Sequence, residues 1–201
     1  MSKKQKEWNE VYKKGQTPWD IGMPSPELVS FLNSKWAKNL KMKDKKRALD
    51  VCSGTGDNSI HLESKGLEVV GIDISSVAIE KARRKIKGQA LKIKFIEGDI
   101  LNSSLIPGTF DFVFDRGCFH HQWGEEREQY VKLVSDKLKK GGFLLLLTIC
   151  DKDKSVSGPN KVSKEDIVKY FSKNFEIIEI KDSILKDRAE PRIYTSILKR
   201  K

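Results

Sequence analysis

The chain has 201 residues, 38% of them hydrophobic and 33% charged, with a formal net charge of +11. That is long enough for one domain with a sizeable buried core, and the composition suits a soluble globular protein rather than a disordered or fibrous one. The most apolar run, Phe143 to Cys150, falls far short of the ~20 residues that a membrane-spanning helix needs. The charged start, Met1 to Glu7, is followed by no apolar stretch of the kind a secretory leader carries. The expected location is the cytoplasm, with no membrane contact. Three cysteines without a Cys-x-x-Cys pair argue against a disulfide framework and against structural zinc, so no metal is expected. Residues 1–48 hold twelve Lys/Arg against five Asp/Glu. Such a basic segment could draw nucleic acid, but its lysines are not interleaved with base-stacking aromatics. A Lys-rich solvated surface is the expected reading.

In chain order, residues 3–14 read as a polar helix. Gly15 to Pro26 is turn-rich, with three prolines and two glycines. Leu28, Phe31, Leu32 and Trp36 then recur at helical spacing over residues 27–38, and Lys41 to Lys46 reads as a charged linker. From there short apolar strands alternate with helices. Strands are expected at 48–52, 67–72, 93–96, 110–114 and 143–149. Helices are expected at 57–65 with Asp57 as N-cap, at 75–87 with Ser75 or Ser76 as cap, and at 125–139 before Gly141-Gly142. Gly66 and Gly88 close the first two of these helices. A capped helix at 163–171 and two strands, 175–180 and 193–198, end the chain. Residues 181–192 are too polar and Pro-interrupted for a helix, so the last two strands are expected to form an antiparallel pair at one edge. Strands alternating with helices give an α/β fold, a mostly parallel sheet covered on both faces.

Ligands of such sheets sit at the carboxyl ends of the strands, where the strand order reverses. Gly54 and Gly56 follow the first strand and precede a helix, in the run Asp50-Val51-Cys52-Ser53-Gly54-Thr55-Gly56-Asp57-Asn58. Glycine there lets the backbone turn tightly against a ligand. Asp73 ends the second strand, where a carboxylate can accept from both hydroxyls of a ribose. Asp99 follows the third strand and can accept from an adenine amine, with Ile74 and Ile100 on the faces of the ring. A dinucleotide loop wants Gly-x-Gly-x-x-Gly with the helix start facing a pyrophosphate. Here the third glycine is absent, and Asp57 would repel a pyrophosphate while tolerating a zwitterionic amino-acid tail.

These segments resemble the class I S-adenosylmethionine-dependent methyltransferases over about residues 46–200. Asp50 to Gly56 looks like their first motif, Val70-Gly71-Ile72-Asp73 their second, Gly98-Asp99 their third and Phe110 to Asp115 their fourth. Leu138 to Gly142 looks like the turn before their fifth strand. The resemblance implies S-adenosylmethionine as cofactor, S-adenosylhomocysteine as product, and a Rossmann-like seven-stranded sheet of order 3-2-1-4-5-7-6 with strand seven antiparallel. It divides the chain into an N-terminal helical lid, 1–45, and one compact cofactor domain, 46–201. It places Trp19, Asp50, Cys52, Ser53, Gly54, Gly56, Asp57, Asn58, Asp73, Ile74, Asp99, Ile100, Asp115 and Arg116 around the cofactor. Gly15-Gln16-Thr17-Pro18-Trp19-Asp20-Ile21-Gly22 resembles the entry segment of the thiopurine S-methyltransferase and tellurite-resistance group. In that group it implies a lid, with Trp19 over the sulfonium, where cation–π attraction is favourable.

The stretch after the fourth strand, Asp115-Arg116-Gly117-Cys118-Phe119-His120-His121-Gln122-Trp123, lacks the Asp/Asn-Pro-Pro-aromatic run of amino-methylating nucleic-acid enzymes. It points instead to a small-molecule acceptor. His120 is the candidate base or substrate-orienting group, and Arg116 could pair with an anionic substrate or with the cofactor carboxylate. Methyl transfer from a sulfonium is an in-line displacement in which a soft anion such as a thiolate needs no strong base. The leading expectation is methylation of a thiol, chalcogen oxyanion or halide. The alternatives are O- or N-methylation with His120 as base, a nucleic-acid substrate, or a non-catalytic cofactor-binding partner. Cys52, Cys118 and Cys150 fall at or just past strand ends, where they read as small packing residues or as thiols for a soft metalloid. No long exposed apolar stripe marks a dimer surface, so a monomer is expected.

Overall fold

The apolar runs of the chain become strands because they are short, β-branched or aromatic, and bounded by turn residues. A computed structural model describes residues 1–41, 46–153, 161–184 and 192–201. Most of the charged linker and of the stretch before the last strand lie outside the described residues. The strands follow the order β3-β2-β1-β4-β5-β7-β6 in one seven-stranded sheet, the order that the sequence resemblance implies. Contacts gather the chain into two units, Met1–Pro107 and Gly108–Lys201.

In the first unit, β1 (Arg47–Val51), β2 (Glu68–Asp73) and β3 (Lys94–Glu97) pair in parallel. Residues Val69 to Asp73 of β2 are buried without alternation, as expected of a parallel strand covered on both faces. Helix α1 (Lys3–Lys13) is capped by Ser2, whose hydroxyl accepts from the Gln5 amide at 3.1 Å. Helix α2 (Pro26–Asn33) carries Pro26 in its first turn, where a missing N–H costs nothing. The helix expected over 27–38 breaks at Ser34, which is extended, and resumes as a 3-10 helix over Lys35–Lys41. The Ser34 hydroxyl accepts from the Trp36 amide at 3.2 Å, the local bond by which serine competes with helix continuation.

Helix α3 (Asp57–Ser64) also starts differently from expectation. Its N-cap is Gly56 at φ 87°, and Asp57 is already inside the first turn. Only glycine adopts that dihedral cheaply, and a Cβ on Gly56 would lie 2.7 Å from Phe95 Cζ. Helix α4 (Ser76–Ile86) is capped by Ser75, which accepts from Ala78 N at 3.2 Å. Helix α1 docks on that cap through Asn9. The Asn9 Oδ1 accepts from Ser75 Oγ at 2.7 Å and its Nδ2 donates to Ser76 Oγ at 3.1 Å. Lys81 adds a bond from its Nζ to the Tyr12 carbonyl at 2.9 Å.

In the second unit, β4 (Phe110–Arg116) pairs in parallel with β5 (Leu138–Ile149). Strands β6 (Phe175–Ile184) and β7 (Arg192–Arg200) pair antiparallel, and β7 runs antiparallel to β5. Strand β5 begins earlier than expected. Leu138 pairs with Phe110 before the register shifts, so the Gly141-Gly142 bend lies within the strand. Helix α5 (Glu125–Lys137) ends there, and α6 (Lys164–Phe171) opens with a reciprocal capping box between Ser163 and Asp166. Phe110, Phe112, Phe114, Phe119, Phe171 and Phe175 are buried to within 1% of full, and each contributes about 1.5–3 kcal/mol of burial. Among the described residues, no helix is long and apolar enough to cross a membrane.

The Asn9 side chain is 4% exposed, so Asn9→Ala strands the Ser75 and Ser76 hydroxyls beside an apolar methyl. The expected loss is about 1–3 kcal/mol, measured by urea unfolding. A loss below about 0.5 kcal/mol would show that water replaces Asn9 without penalty.

Candidate functional site

Parallel pairing of β1 with β2 brings the turn after β1 beside the end of β2. Asp73, 6% exposed, closes β2. Its Oδ2 accepts from the Gly54 amide and its Oδ1 from the Ser75 amide, both at 2.8 Å. Burial pushes the carboxyl up to about 6, against the pull of those two amides. Each oxygen keeps a further lone pair, so the group can still accept from two neighbouring hydroxyls. Beside it, Ser53 Oγ is buried with no hydrogen-bond partner in the described structure. An orphaned hydroxyl at a glycine-rich turn asks for a ligand atom.

The other sequence-predicted residues of this unit take distinct places. Asp50 is buried and accepts from Ser59 Oγ at 2.6 Å, tying β1 to α3. Cys52 turns the chain with φ 50°. Both oxygens of Asp57 accept from Lys85 Nζ at 2.8 Å. Asn58 Oδ1 accepts from the Ser25 amide at 2.8 Å, pinning the end of the segment before α2. Asp99 caps its own turn by accepting from Leu101 N at 3.0 Å, with Ile100 buried and Ile74 half-buried beside the ends of β3 and β2.

The N-terminal segment brings three aromatic side chains together. Trp19 packs edge-on against Trp8, centroids 5.9 Å apart, and against Tyr12 at 6.4 Å. Trp19 Nε1 donates to Tyr12 Oη at 3.4 Å. That hydroxyl lies against the glycine turn, 2.9 Å from where a Cβ on Gly54 would stand. Burial first, and then the Asp73 carboxylate, push the Tyr12 phenol well above its usual value, so it stays neutral. The signal available in the sequence was Trp8 and Tyr12 four residues apart on one face of α1.

In the second unit, Asp115 is fully buried near the end of β4. Its oxygens accept from Cys118 N at 2.6 Å, Phe119 N at 3.0 Å and Tyr130 Oη at 2.5 Å. Burial pushes this carboxyl up to about 6, against those bonds. Arg116 is half-buried at the last position of β4. His120 is 6% exposed. Its Nδ1 accepts from the Ile149 amide at 3.3 Å, and its ring lies 4.7 Å from that of His121. Gly117 must be glycine, with φ 102° and a would-be Cβ 3.1 Å from His120 Cε1. Cys150 is a free, buried cysteine.

Residues 48–142 match the methyltransferase domain family. The chain is 31% identical to thiocyanate methyltransferase 1 of Brassica oleracea, over 78% of this chain and 67% of that protein. The chain belongs to the class I S-adenosylmethionine-dependent methyltransferases, in the thiopurine S-methyltransferase-like group. It is also 29% identical to probable thiol methyltransferase 2 of Arabidopsis thaliana, over 89% of this chain and 77% of that one. A solved S-adenosylmethionine-dependent methyltransferase from Anabaena variabilis superposes with TM-score 0.74 at 19% identity, covering 100% and 96% of the two chains. It shares the fold.

This methyltransferase depends on S-adenosylmethionine, and its own residues fit that group: the orphaned Ser53 hydroxyl, the two-toothed Asp73 and a cover of neutral aromatics. Asp73 carries a pH signature. In the free enzyme its proton is held up to about pH 6, against 3.8 for the ordinary group. The native state therefore binds more protons than the unfolded chain over that window, and Asp73 weakens the fold as pH rises through it. A ribose diol needs the ionised form. Calorimetric affinity for S-adenosylhomocysteine is expected to be full above about pH 7 and to fall as pH drops through about 6. Asp73→Asn is expected to weaken binding about tenfold or more and to flatten that dependence. A slope that persists in Asp73→Asn would assign the titration to another group.

Proposed function

We propose that this methyltransferase acts on a small molecule with a soft nucleophile, a thiol, chalcogen oxyanion or halide, and works by alignment rather than by base catalysis. The observation that carries this reading is the His120 ring. Because its Nδ1 accepts from the Ile149 amide, the neutral ring keeps its proton on Nε2 and acts there as a donor. A donor orients an anionic nucleophile; it does not deprotonate a hydroxyl or an amine. The names of the thiol and thiocyanate methyltransferase relatives support the same class.

The bound sulfonium supplies the methyl electrophile. The chain's own residues hold and orient. In this reading Ser53, Gly54 and Gly56 cradle the amino-acid tail, and Asp73 takes the ribose hydroxyls. Asp99 receives the adenine amine, with Ile74 and Ile100 on the ring faces. Asp50, Cys52, Asp57 and Asn58 shape the turn that does this. Trp19, with Tyr12 and Trp8, covers the sulfonium with π faces and excludes water. His120 orients the acceptor, Arg116 pairs with its negative charge, and Asp115 holds the loop that carries His120. Burial of Asp115 against three donors makes it a loop organiser more than a cofactor ligand.

Turnover on a panel of small thiols, thiocyanate, iodide and tellurite tests the acceptor class. Label transfer to RNA without turnover of any of these would overturn it. The histidine role is tested by two substitutions. Gln places an amide N–H near the Nε2 position, so His120→Gln is expected to keep at least about a third of wild-type kcat/KM on the best anionic acceptor. His120→Ala is expected to lose about three- to tenfold, with no change in the shape of the pH–rate profile. Loss of more than about a hundredfold in both variants, with an acidic limb removed from the profile, would restore the base role.

A further inference from the structure

The last turn of helix α4 carries three consecutive basic residues, Arg83, Arg84 and Lys85, and Lys85 is the one turned toward the glycine loop. Its Nζ donates to Thr55 Oγ1 at 2.7 Å and to both oxygens of Asp57 at 2.8 Å. Thr55 lies between the two glycines of the loop and is 4% exposed. Its single hydroxyl proton goes to Asp20 Oδ1 at 2.5 Å, so its lone pairs are left to accept from Lys85. Asp20 is the residue after Trp19, and its Oδ1 lies 3.9 Å from Lys85 Nζ. One ammonium thus joins the loop, the start of α3 and the segment that carries the covering tryptophan. The lysine side chain is 33% exposed, Asp20 20% and Asp57 17%, so the charges are only partly screened by water.

We propose that Lys85 is a positioning residue for the cofactor. It holds Thr55 and Asp57 in the loop geometry that receives the amino-acid tail, and through Thr55 it seats Asp20 and therefore Trp19. The inference rests on the cofactor reading above. Lys85 acts through Thr55 and Asp57, so its influence falls on cofactor binding rather than on the rate of transfer once both are bound. Charge also explains why a lysine is needed. Thr55 is flanked by the Asp20 and Asp57 carboxylates, which repel each other and an incoming carboxylate tail. The ammonium offsets both.

The test compares Lys85→Met, Lys85→Arg, Asp20→Asn and the Lys85→Met/Asp20→Asn double variant in the full-length enzyme. The readouts are calorimetric Kd for S-adenosylhomocysteine, KM for S-adenosylmethionine, kcat, and the rate of trypsin cleavage after the exposed Lys13 and Lys14. Lys85→Met is expected to raise Kd and KM about tenfold with kcat within about twofold of wild type, and to speed cleavage. Lys85→Arg is expected to recover most of the loss. The double variant is expected to be no worse than Lys85→Met alone, because both substitutions break one chain of bonds. Raising salt should weaken the wild type more than Lys85→Met. Wild-type Kd and cleavage rate in Lys85→Met would overturn the proposal. So would an equal fall in kcat and affinity that arginine does not rescue and that follows a drop in melting temperature. A wild-type enzyme that binds no S-adenosylhomocysteine at all would instead overturn the cofactor reading, and this inference with it.

Discussion

A carboxylate at the end of a buried parallel strand is expensive to keep ionised, and the first unit is organised around meeting that cost at Asp73. Desolvation opposes the charge, while the Gly54 and Ser75 amides stabilise it. The two amides come from the glycine turn and from the cap of α4, so one side chain fixes the spacing between β1, β2 and α4. Ser75 is engaged twice, its amide held by Asp73 and its hydroxyl capping Ala78. The Ser75 hydroxyl also meets Asn9, which places α1 and with it Tyr12 over the turn. A chain of hydrogen bonds therefore runs from the carboxylate to the aromatic cover. Because the charge stays only partly compensated, the site gains from a ligand that brings two hydroxyls.

What the sequence shows of this arrangement is the part written in local pattern. Strand ends can be placed from apolar runs and the glycines that follow them, so Asp73 and Asp99 are recognisable as groups that share one edge of the sheet. The sheet order came with the family resemblance and agrees with the structure. The boundaries that moved did so for local reasons. Gly56 rather than Asp57 caps α3, because a left-handed turn precedes the helix. Ser34 breaks the second helix by binding its own neighbour's backbone. Leu138 joins β5 before the glycine bend because it finds Phe110 opposite.

The part not legible is the direction that equivalent residues face. Nothing in Arg83-Arg84-Lys85 distinguishes three cations on a helix surface. Successive residues turn by about 100°, and the three diverge accordingly. Arg83 reaches the Phe95 carbonyl at 2.8 Å, Arg84 pairs with Glu80 in solvent, and Lys85 enters the loop. Trp8 and Tyr12 read as a packing face on a polar helix until their shared partner, Trp19, is placed.

The second unit makes the complementary argument about the acceptor. The loop from Gly117 to Trp123 is short and fastened at several points. Asp115 takes the Cys118 and Phe119 amides, Gln122 Nε2 donates to the Cys118 carbonyl at 3.0 Å, and Arg127 Nε donates to the Gln122 carbonyl at 3.2 Å. Arg127 also stacks 5.3 Å from the centroid of Phe119, whose ring is buried against Tyr130 and Phe171. Such fastening holds His120 in one orientation, with Ile149 on its Nδ1 and no space at Gly117 for a side chain. A general base must change protonation state and often shifts as it does so. A positioning donor gains only from rigidity, since holding reactants in line can supply about 7–11 kcal/mol of a barrier without any proton transfer. On the proposed reading of His120 as a donor, a rigid loop around it suits an acceptor that arrives already nucleophilic.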